Sequence, residues 1–162
     1  MFRAIHINDS SLMREYVIER RVWVPRPVAT VFSFFADAQN LERITPPELG
    51  FQIRSDLPIL MRPGAMIDYT IKLYGIPMKW RTEITRWNPP VSFEDVQLRG
   101  PYAKWVHTHA FVEDRGGTAI EDRVVYALPF GPVSAIAHPF VRRQLRRIFD
   151  YRETVLLRDF GA

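Results

Sequence analysis

Residues 104–160 read KWVHTHAFVEDRGGTAIEDRVVYALPFGPVSAIAHPFVRRQLRRIFDYRETVLLRDF, and the fold turns on a change of period inside them. Up to Leu128, large apolar side chains keep a two-residue alternation, the repeat of a strand with one buried face. Gly116-Gly117 splits that run into strands at 104–113 and 118–128, close enough to form a hairpin. Beyond Leu128-Pro129-Phe130-Gly131-Pro132 the repeat becomes helical. Val141, Leu145, Ile148, Arg152 and Val155 follow one stripe, widened by Phe149, Leu156 and Phe160. Pro139 suits a first helical turn, so the spacing predicts a helix over 139–158. At ~1.5 Å per residue it is about 30 Å long, enough to cross a whole sheet.

Upstream, the two-residue alternation continues through 50–55, 65–74, 78–87 and 92–98. The boundaries are turn signals: Pro63-Gly64, Gly75-Ile76-Pro77, Asn88-Pro89-Pro90 and Gly100-Pro101. Short connections between such strands predict an antiparallel meander. Nearer the start, 14–24 alternates and Pro25 stops it. Pro27 then opens a helix over 28–38 with Val28, Val31, Phe32 and Phe35 on one face. Asn40 is placed to cap a second short helix over 41–44, which Thr45-Pro46-Pro47 ends. Residues 1–12 read as irregular. The expected architecture is α+β: a curved seven-stranded antiparallel sheet wrapped around a long C-terminal helix, with two short helices after the first strand. Its length of 162 residues suits one domain over 1–162. A sheet bent around a single helix does not close, so a cavity between them is expected.

Composition narrows the function classes. With 47% hydrophobic and 25% charged residues the chain reads as globular, and 13% aromatics can fill a core or line an apolar space. The absence of cysteine excludes disulfides, a thiolate nucleophile and cysteine-ligated metal. The opening MFRAIHINDSSLMREY is too polar for a signal peptide, and no long apolar run suggests a membrane span; a cytoplasmic location is expected. No motif calls for a cofactor or a metal.

The last two strands carry the polar candidates. Trp105, His107, His109 and Phe111 share one face of the first, and Ile120, Asp122, Val124 and Tyr126 share one face of the second. Both sets face the expected cavity. Asp95, Gln97 and Arg99 alternate on the preceding strand and are candidates to join them, with Trp80 and Thr82 on an opposite wall. A ligand-binding set of Trp80, Asp95, Gln97, Arg99, Trp105, His107, His109, Asp122 and Tyr126 follows. In a catalytic alternative His107 or His109 moves protons, Asp122 orients the ring, and Arg99 or Tyr126 steadies an enolate oxygen. These groups can equally satisfy one another, Asp122 bonding a histidine and Arg99 pairing with Asp95, with no chemistry. A zinc site from His107, His109 and Asp122 would need a ligand set that no further motif supplies. His6 and His138 lie far away in sequence and are left out.

The segments VWVPRPVATVFSFFADAQNLERITPPELGF, GIPMKWRTEITRWNPPVSFEDVQLRGPYAKWVHTHAF and GGTAIEDRVVYALPFGPV, with the terminal helix, resemble the SRPBCC superfamily over about 14–160. That superfamily includes START lipid-transfer domains, birch-pollen-allergen-like proteins, polyketide cyclase/dehydrase-like proteins and coenzyme-Q carriers. The resemblance implies a helix-grip fold and, as function, binding of a hydrophobic molecule such as a lipid, isoprenoid or polyketide-like ring system, by a carrier or sensor. The alternative it implies is a cyclase, aromatase or dehydratase. A partner-binding module without ligand stands as a third reading. Here Arg26-Pro27 opens the first helix where many relatives carry an acidic residue.

Two further features bear on partners. Arg142, Arg143, Arg146 and Arg147 form a basic stripe that reads first as a solvated face, and second as a site of transient contact with an anionic membrane surface. Nucleic-acid binding is not expected, because no aromatics interleave with glycine-rich loops on an open sheet. The apolar connector 57–64 either lids the cavity or packs onto the core.

Overall fold

The computed structural model describes residues 13–161, so the irregular stretch expected over 1–12, His6 included, lies outside the described residues. The elements are β1 (Glu15–Val24), α1 (Val28–Ala36), α2 (Asn40–Arg43), β2 (Gln52–Ile53), β3 (Met66–Leu73), β4 (Ile76–Asn88), β5 (Ser92–Arg99), β6 (Lys104–Asp114), β7 (Gly117–Ala127) and α3 (Ser134–Phe160). Single 3-10 turns at Pro47–Leu49 and Gly131–Val133 precede β2 and α3. The strands form one seven-stranded sheet in the order β1-β7-β6-β5-β4-β3-β2, antiparallel throughout. This is the helix-grip architecture expected from the sequence.

The sheet has one buried face, and two layers of apolar side chains cover it. Val31, Phe32 and Phe35 of α1 pack with Phe93, Phe111 and Ile120 of the sheet and with Val155, Leu156 and Phe160 at the end of α3. Leu145 and Phe149, from the middle of α3, pack on Val124, Tyr126 and Leu128 of β7. Each fully buried side chain of this size contributes about 1.5–3 kcal/mol, so α3 and β7 hold the grip. Register shifts between Arg81 and Thr82, and between Ile84 and Arg86, interrupt the β4–β5 ladder. Such irregularities bend and twist a strand, and Ile148 of α3 still packs against Ile71, Leu73 and Trp80 on the β3–β4 side.

Local details depart from the expected boundaries. The helix begins at Ser134 rather than 139, leaving Pro139 inside it. Proline there costs one helical bond, that to the Ala135 carbonyl, and Ala135 is exposed, so water can take its place. Asn40 does not cap α2: it lies within the helix and its amide donates to the Phe34 carbonyl at 2.9 Å. Asp37 does the local work instead, its Oδ1 accepting from the Gln39 backbone at 3.0 Å. The strand expected over 50–55 shrinks to Gln52–Ile53 at the sheet's edge. The connector 57–64 sends Ile59 and Met61 into the core cluster of Ala38, Ala65, Ile67 and Ile84, while Leu57 and Leu60 stay exposed. No helix of the described residues is long and apolar enough to cross a membrane.

Candidate functional site

Between the sheet and α3 lies a cavity of about 140 Å³. Its lining includes Phe35 and Ala38 from α1 and the turn after it, Tyr69 and Trp80 from β3 and β4, and Leu145 and Phe149 from α3. Most of this lining is apolar or aromatic. Tyr69 stacks on Trp80 at 5.6 Å between ring centroids, and Trp105 meets Trp80 edge-on at 5.4 Å. The Trp80 indole N–H is satisfied by Thr82 Oγ1 at 3.0 Å, so the ring sits in the wall without an orphaned donor. Burial raises the Tyr102 hydroxyl, and burial with the Asp95 charge raises that of Tyr69, so both remain protonated.

One wall is polar. Register brings Asp95 of β5 opposite His107 of β6, and His109 of β6 opposite Asp122 of β7. His107 Nε2 contacts Asp122 Oδ1 at 2.8 Å, and His109 Nε2 contacts Asp95 Oδ2 at 2.9 Å. His109 Nδ1 lies 3.0 Å from Asp122 Oδ1, a close ion-pair distance whose angle falls short of a hydrogen bond. From α3, Arg152 reaches the same Asp122 oxygen at 3.3 Å and lies over the Phe149 ring at 5.0 Å. Phe93 stacks on His109 at 4.1 Å and fixes the ring plane.

The charges balance within this cluster. Burial pushes Asp122 up, but the Arg152 charge, the bond from His107 and the close approach of His109 outweigh it and hold Asp122 well below the ordinary carboxylate range. The two histidines diverge. Burial, together with the neighbouring His109, lowers His107 below its usual value despite the Asp122 bond. Burial also opposes charge on His109, yet the adjacent Asp122 carboxylate and the bond to Asp95 prevail and raise it. His109 therefore favours the imidazolium, donating toward both carboxylates, and His107 favours the neutral ring. Neutral His107 donates Nε2–H to Asp122, leaving Nδ1 as an acceptor 3.8 Å from Asp95, too far for a hydrogen bond.

Of the residues read from sequence, Trp80, Asp95, Trp105, His107 and His109 line the cavity. Asp122 lies directly behind the two histidines. Three others are not brought there. Gln97 clasps the β5–β6 connection, donating to the Tyr102 carbonyl at 2.7 Å and accepting from its N–H at 3.3 Å. Arg99 is exposed at the end of β5, so Asp95 pairs with His109 and not with it. Tyr126 is buried beyond the cavity, its hydroxyl 3.1 Å from His138 Nε2. His138, set aside on sequence grounds, also stacks on Tyr16 at 3.5 Å. Arg152 was not among the candidates. Its signal was present: it is the one charged residue on the apolar stripe of the last helix. For a metal, the donor atoms that cluster within 4.8 Å belong to Asp95, His107 and His109, with Asp95 where the sequence suggested Asp122. Within that trio His109 meets Asp95 at 2.9 Å, and His107 meets Asp122 at 2.8 Å, the distances of histidine–carboxylate hydrogen bonds.

Residues 24–150 match the family model described as polyketide cyclase / dehydrase and lipid transport. No curated protein sequence matches the chain at a significant level. Solved structures with the same fold include the Zhui aromatase/cyclase of a Streptomyces species, 15% identical, covering 90% of this chain and 93% of that one at a TM-score of 0.71. Norcoclaurine synthase from Thalictrum flavum, solved with dopamine and hydroxybenzaldehyde, is 14% identical, covering 98% and 95% at a TM-score of 0.66. Ara h 8.0201 is 18% identical, covering 89% and 99% at a TM-score of 0.60.

Proposed function

The chain belongs to the polyketide cyclase / dehydrase and lipid transport family, within the SRPBCC superfamily, and from that premise we propose that it holds a small hydrophobic molecule between sheet and α3. It acts as a cytoplasmic carrier or sensor, with the ligand's apolar body against Trp80 and Trp105 and a polar end against His107, His109 and Asp95. The observation that carries this reading is the cavity itself: about 140 Å³, mostly aromatic, with its polar groups gathered on one wall. That volume is close to the roughly 150 Å³ of an engineered apolar cavity that takes benzene. The ligand it fits is therefore a single ring or a short chain, and a larger one requires α3 or the 57–64 connector to move outward. A ring burying roughly 200 Å² gains about 5 kcal/mol at ~25 cal/mol per Å². Offset by ordering, that gives millimolar binding at best, so useful affinity needs the polar wall. The dopamine and hydroxybenzaldehyde held by the synthase of the same fold are one-ring molecules with polar ends, which supports the size class.

Native mass spectrometry of protein purified without detergent, followed by thermal-shift titration with one-ring phenols and aldehydes, tests it. An apolar adduct or a saturable rise in Tm is expected, and His107→Ala is expected to change ligand preference while retention persists. A chain that carries no adduct and shows no saturable shift with any such probe would lose this assignment.

A second reading, an acid/base enzyme of the cyclase, aromatase or dehydratase type, is favoured by one observation: neighbouring histidines pushed in opposite directions form a base and an acid side by side. His107 Nδ1 is the base, the His109 imidazolium is the acid, and Asp122 orients both. In this reading Arg152, rather than Arg99 or Tyr126, steadies the enolate oxygen. His107→Ala then lowers turnover of a poly-β-keto substrate by at least ~10²-fold; unchanged turnover removes the enzyme.

A further inference from the structure

The N-terminal end of α3 presents a surface that the cavity does not use. Phe130 is 86% exposed, Ile136 76%, and Val133 and Phe140 each 67%, a run of large apolar side chains facing solvent. Phe130 precedes one 3-10 turn, Val133 ends it, and Ile136 and Phe140 lie in the first two turns of α3, with Phe130 held in the left-handed region at φ 72°. Ile136, Phe140, Arg143 and Arg147 then follow one helical stripe by spacings of four, three and four residues, so the apolar end continues into a basic one. A groove joins this stripe to the β3–β4 turn, where Tyr74 is exposed and Lys72 adds a cation. Beside it, Arg142 and Arg146 line a second groove with His138. Arg147 pairs with Glu48 at 2.7 Å, and Asp150 is taken by Arg20 at 2.8 Å. Among the described residues, Arg142, Arg143 and Arg146 have no carboxylate partner.

From this we propose that the Phe130–Arg147 face docks on an anionic lipid bilayer, lying in the interface with its apolar end inserted and its arginines on the lipid phosphates. The arrangement has what such a surface requires: large apolar groups on one part, and guanidinium groups beside them long enough to reach phosphate oxygens while their stems stay apolar. A second copy of the chain fits poorly, because a two-fold contact would set the arginine clusters against each other. Position adds a reason for lipid over an acidic protein. Leu49 and Ile148 line both the groove and the cavity, so the docked face adjoins the chamber in which an apolar molecule would be exchanged with the bilayer. That link rests on the ligand reading above; the docking does not.

The test is flotation of the full chain with vesicles of phosphatidylcholine alone and of phosphatidylcholine with phosphatidylglycerol, with no ligand added. The protein is expected to float with the anionic vesicles only, less so at high salt. Phe130→Ser, Ile136→Ser and Phe140→Ser together lower the partition by at least about tenfold. Arg142→Gln, Arg143→Gln and Arg146→Gln together lower it by about a hundredfold. Both sets replace exposed side chains, so unchanged circular dichroism and Tm confirm that folding is intact. No partition onto anionic vesicles, or equal partition by all three proteins, overturns the proposal. So does a concentration-dependent dimer that Phe140→Ser dissolves, which would give this face to a second copy. An empty cavity in the ligand experiment leaves the flotation result untouched, so the two readings fail separately.

Discussion

The two halves of α3 carry similar side chains to opposite ends. Leu145, Phe149, Val155, Leu156 and Phe160 are buried against the sheet and α1, whereas Ile136 and Phe140, nearer the start of the helix, face solvent. Helical period decides which residues share a stripe, but what lies opposite decides whether the stripe is buried. In the C-terminal half the facing surface is β7, β6 and α1; in the N-terminal half the stripe of Ile136 and Phe140 points away from them. The sharpest test of that difference is a pair of matched truncations. Phe149→Ala is expected to cost about 3–5 kcal/mol, through lost burial and a cavity left beneath Arg152. Phe140→Ala is expected to change stability by no more than about 0.5 kcal/mol. Urea unfolding of both variants measures it, and similar losses would erase the distinction between the halves.

Arg152 sharpens the comparison, because the buried half of the helix also carries a charge where the exposed half carries several. Arg152 is nearly buried and paired with a buried carboxylate, while Arg142 and Arg143 are exposed. Removing one member of a buried pair strands the other, so Arg152→Ala is expected to cost at least about 3 kcal/mol. Arg143→Ala is expected to stay within about 0.5 kcal/mol. Comparable effects would mean that Asp122 does not depend on α3.

The histidines add a pH signature with a definite sign. His109 is raised in the folded state, so its stabilisation is complete below its unfolded value near ~6.5 and is lost as pH rises through the folded value. Asp122 is depressed, so its contribution is complete above about 3.9 and is lost as pH falls through its low folded value. His107 is lowered, so below about 6.5 the unfolded chain takes up that proton first and folding weakens. His109→Asn removes the first of these and, by taking a cation from beside His107 and Asp122, weakens the shifts of the other two. Above about 6.5, where the unfolded histidines have largely lost their protons, stability measured by urea unfolding should therefore decline with rising pH in the parent and be flatter in the variant. Identical slopes would reassign the charge within the cluster.

Much of the fold was legible because two periods and their punctuation are written in the chain. Alternation placed His107 and His109 on one face, and the neighbouring strand supplied Asp122, before any register was known. Register was the missing quantity. It brought Asp95 to His109, but Gln97 and Arg99, at the same alternation, follow Asp95 toward the strand's end. There the ladder with β6 has stopped, and the side chains serve a turn or the solvent. Arg152 was hidden by rule rather than by signal, since a charge on an apolar stripe reads as an interruption until a buried carboxylate is found beneath it. His138 was hidden by distance in sequence, as every contact between β1, β7 and α3 must be. Pro139 misled about the helix start, because its preference for a first turn says nothing of what an exposed second turn tolerates.

A smaller loss than those of Phe149→Ala and Arg152→Ala concerns what ties the exposed half of α3 to the sheet at all. His138 stacks on Tyr16 of β1 and accepts from the Tyr126 hydroxyl of β7, so one ring bridges both strands to the first turns of the helix. Burial, with the cations of Arg142 and Arg14 nearby, lowers His138 and favours the neutral ring that can accept this bond. Tyr126→Phe keeps the packing and deletes the bond, which is expected to cost about 0.5–1.5 kcal/mol overall. The local effect should be more telling than the global one: faster amide hydrogen exchange over the first turns of α3, with exchange around Phe149 and Leu156 unchanged. If protection falls equally along the whole helix, the two halves unfold together, and the contrast between them is one of exposure alone and not of separate anchoring.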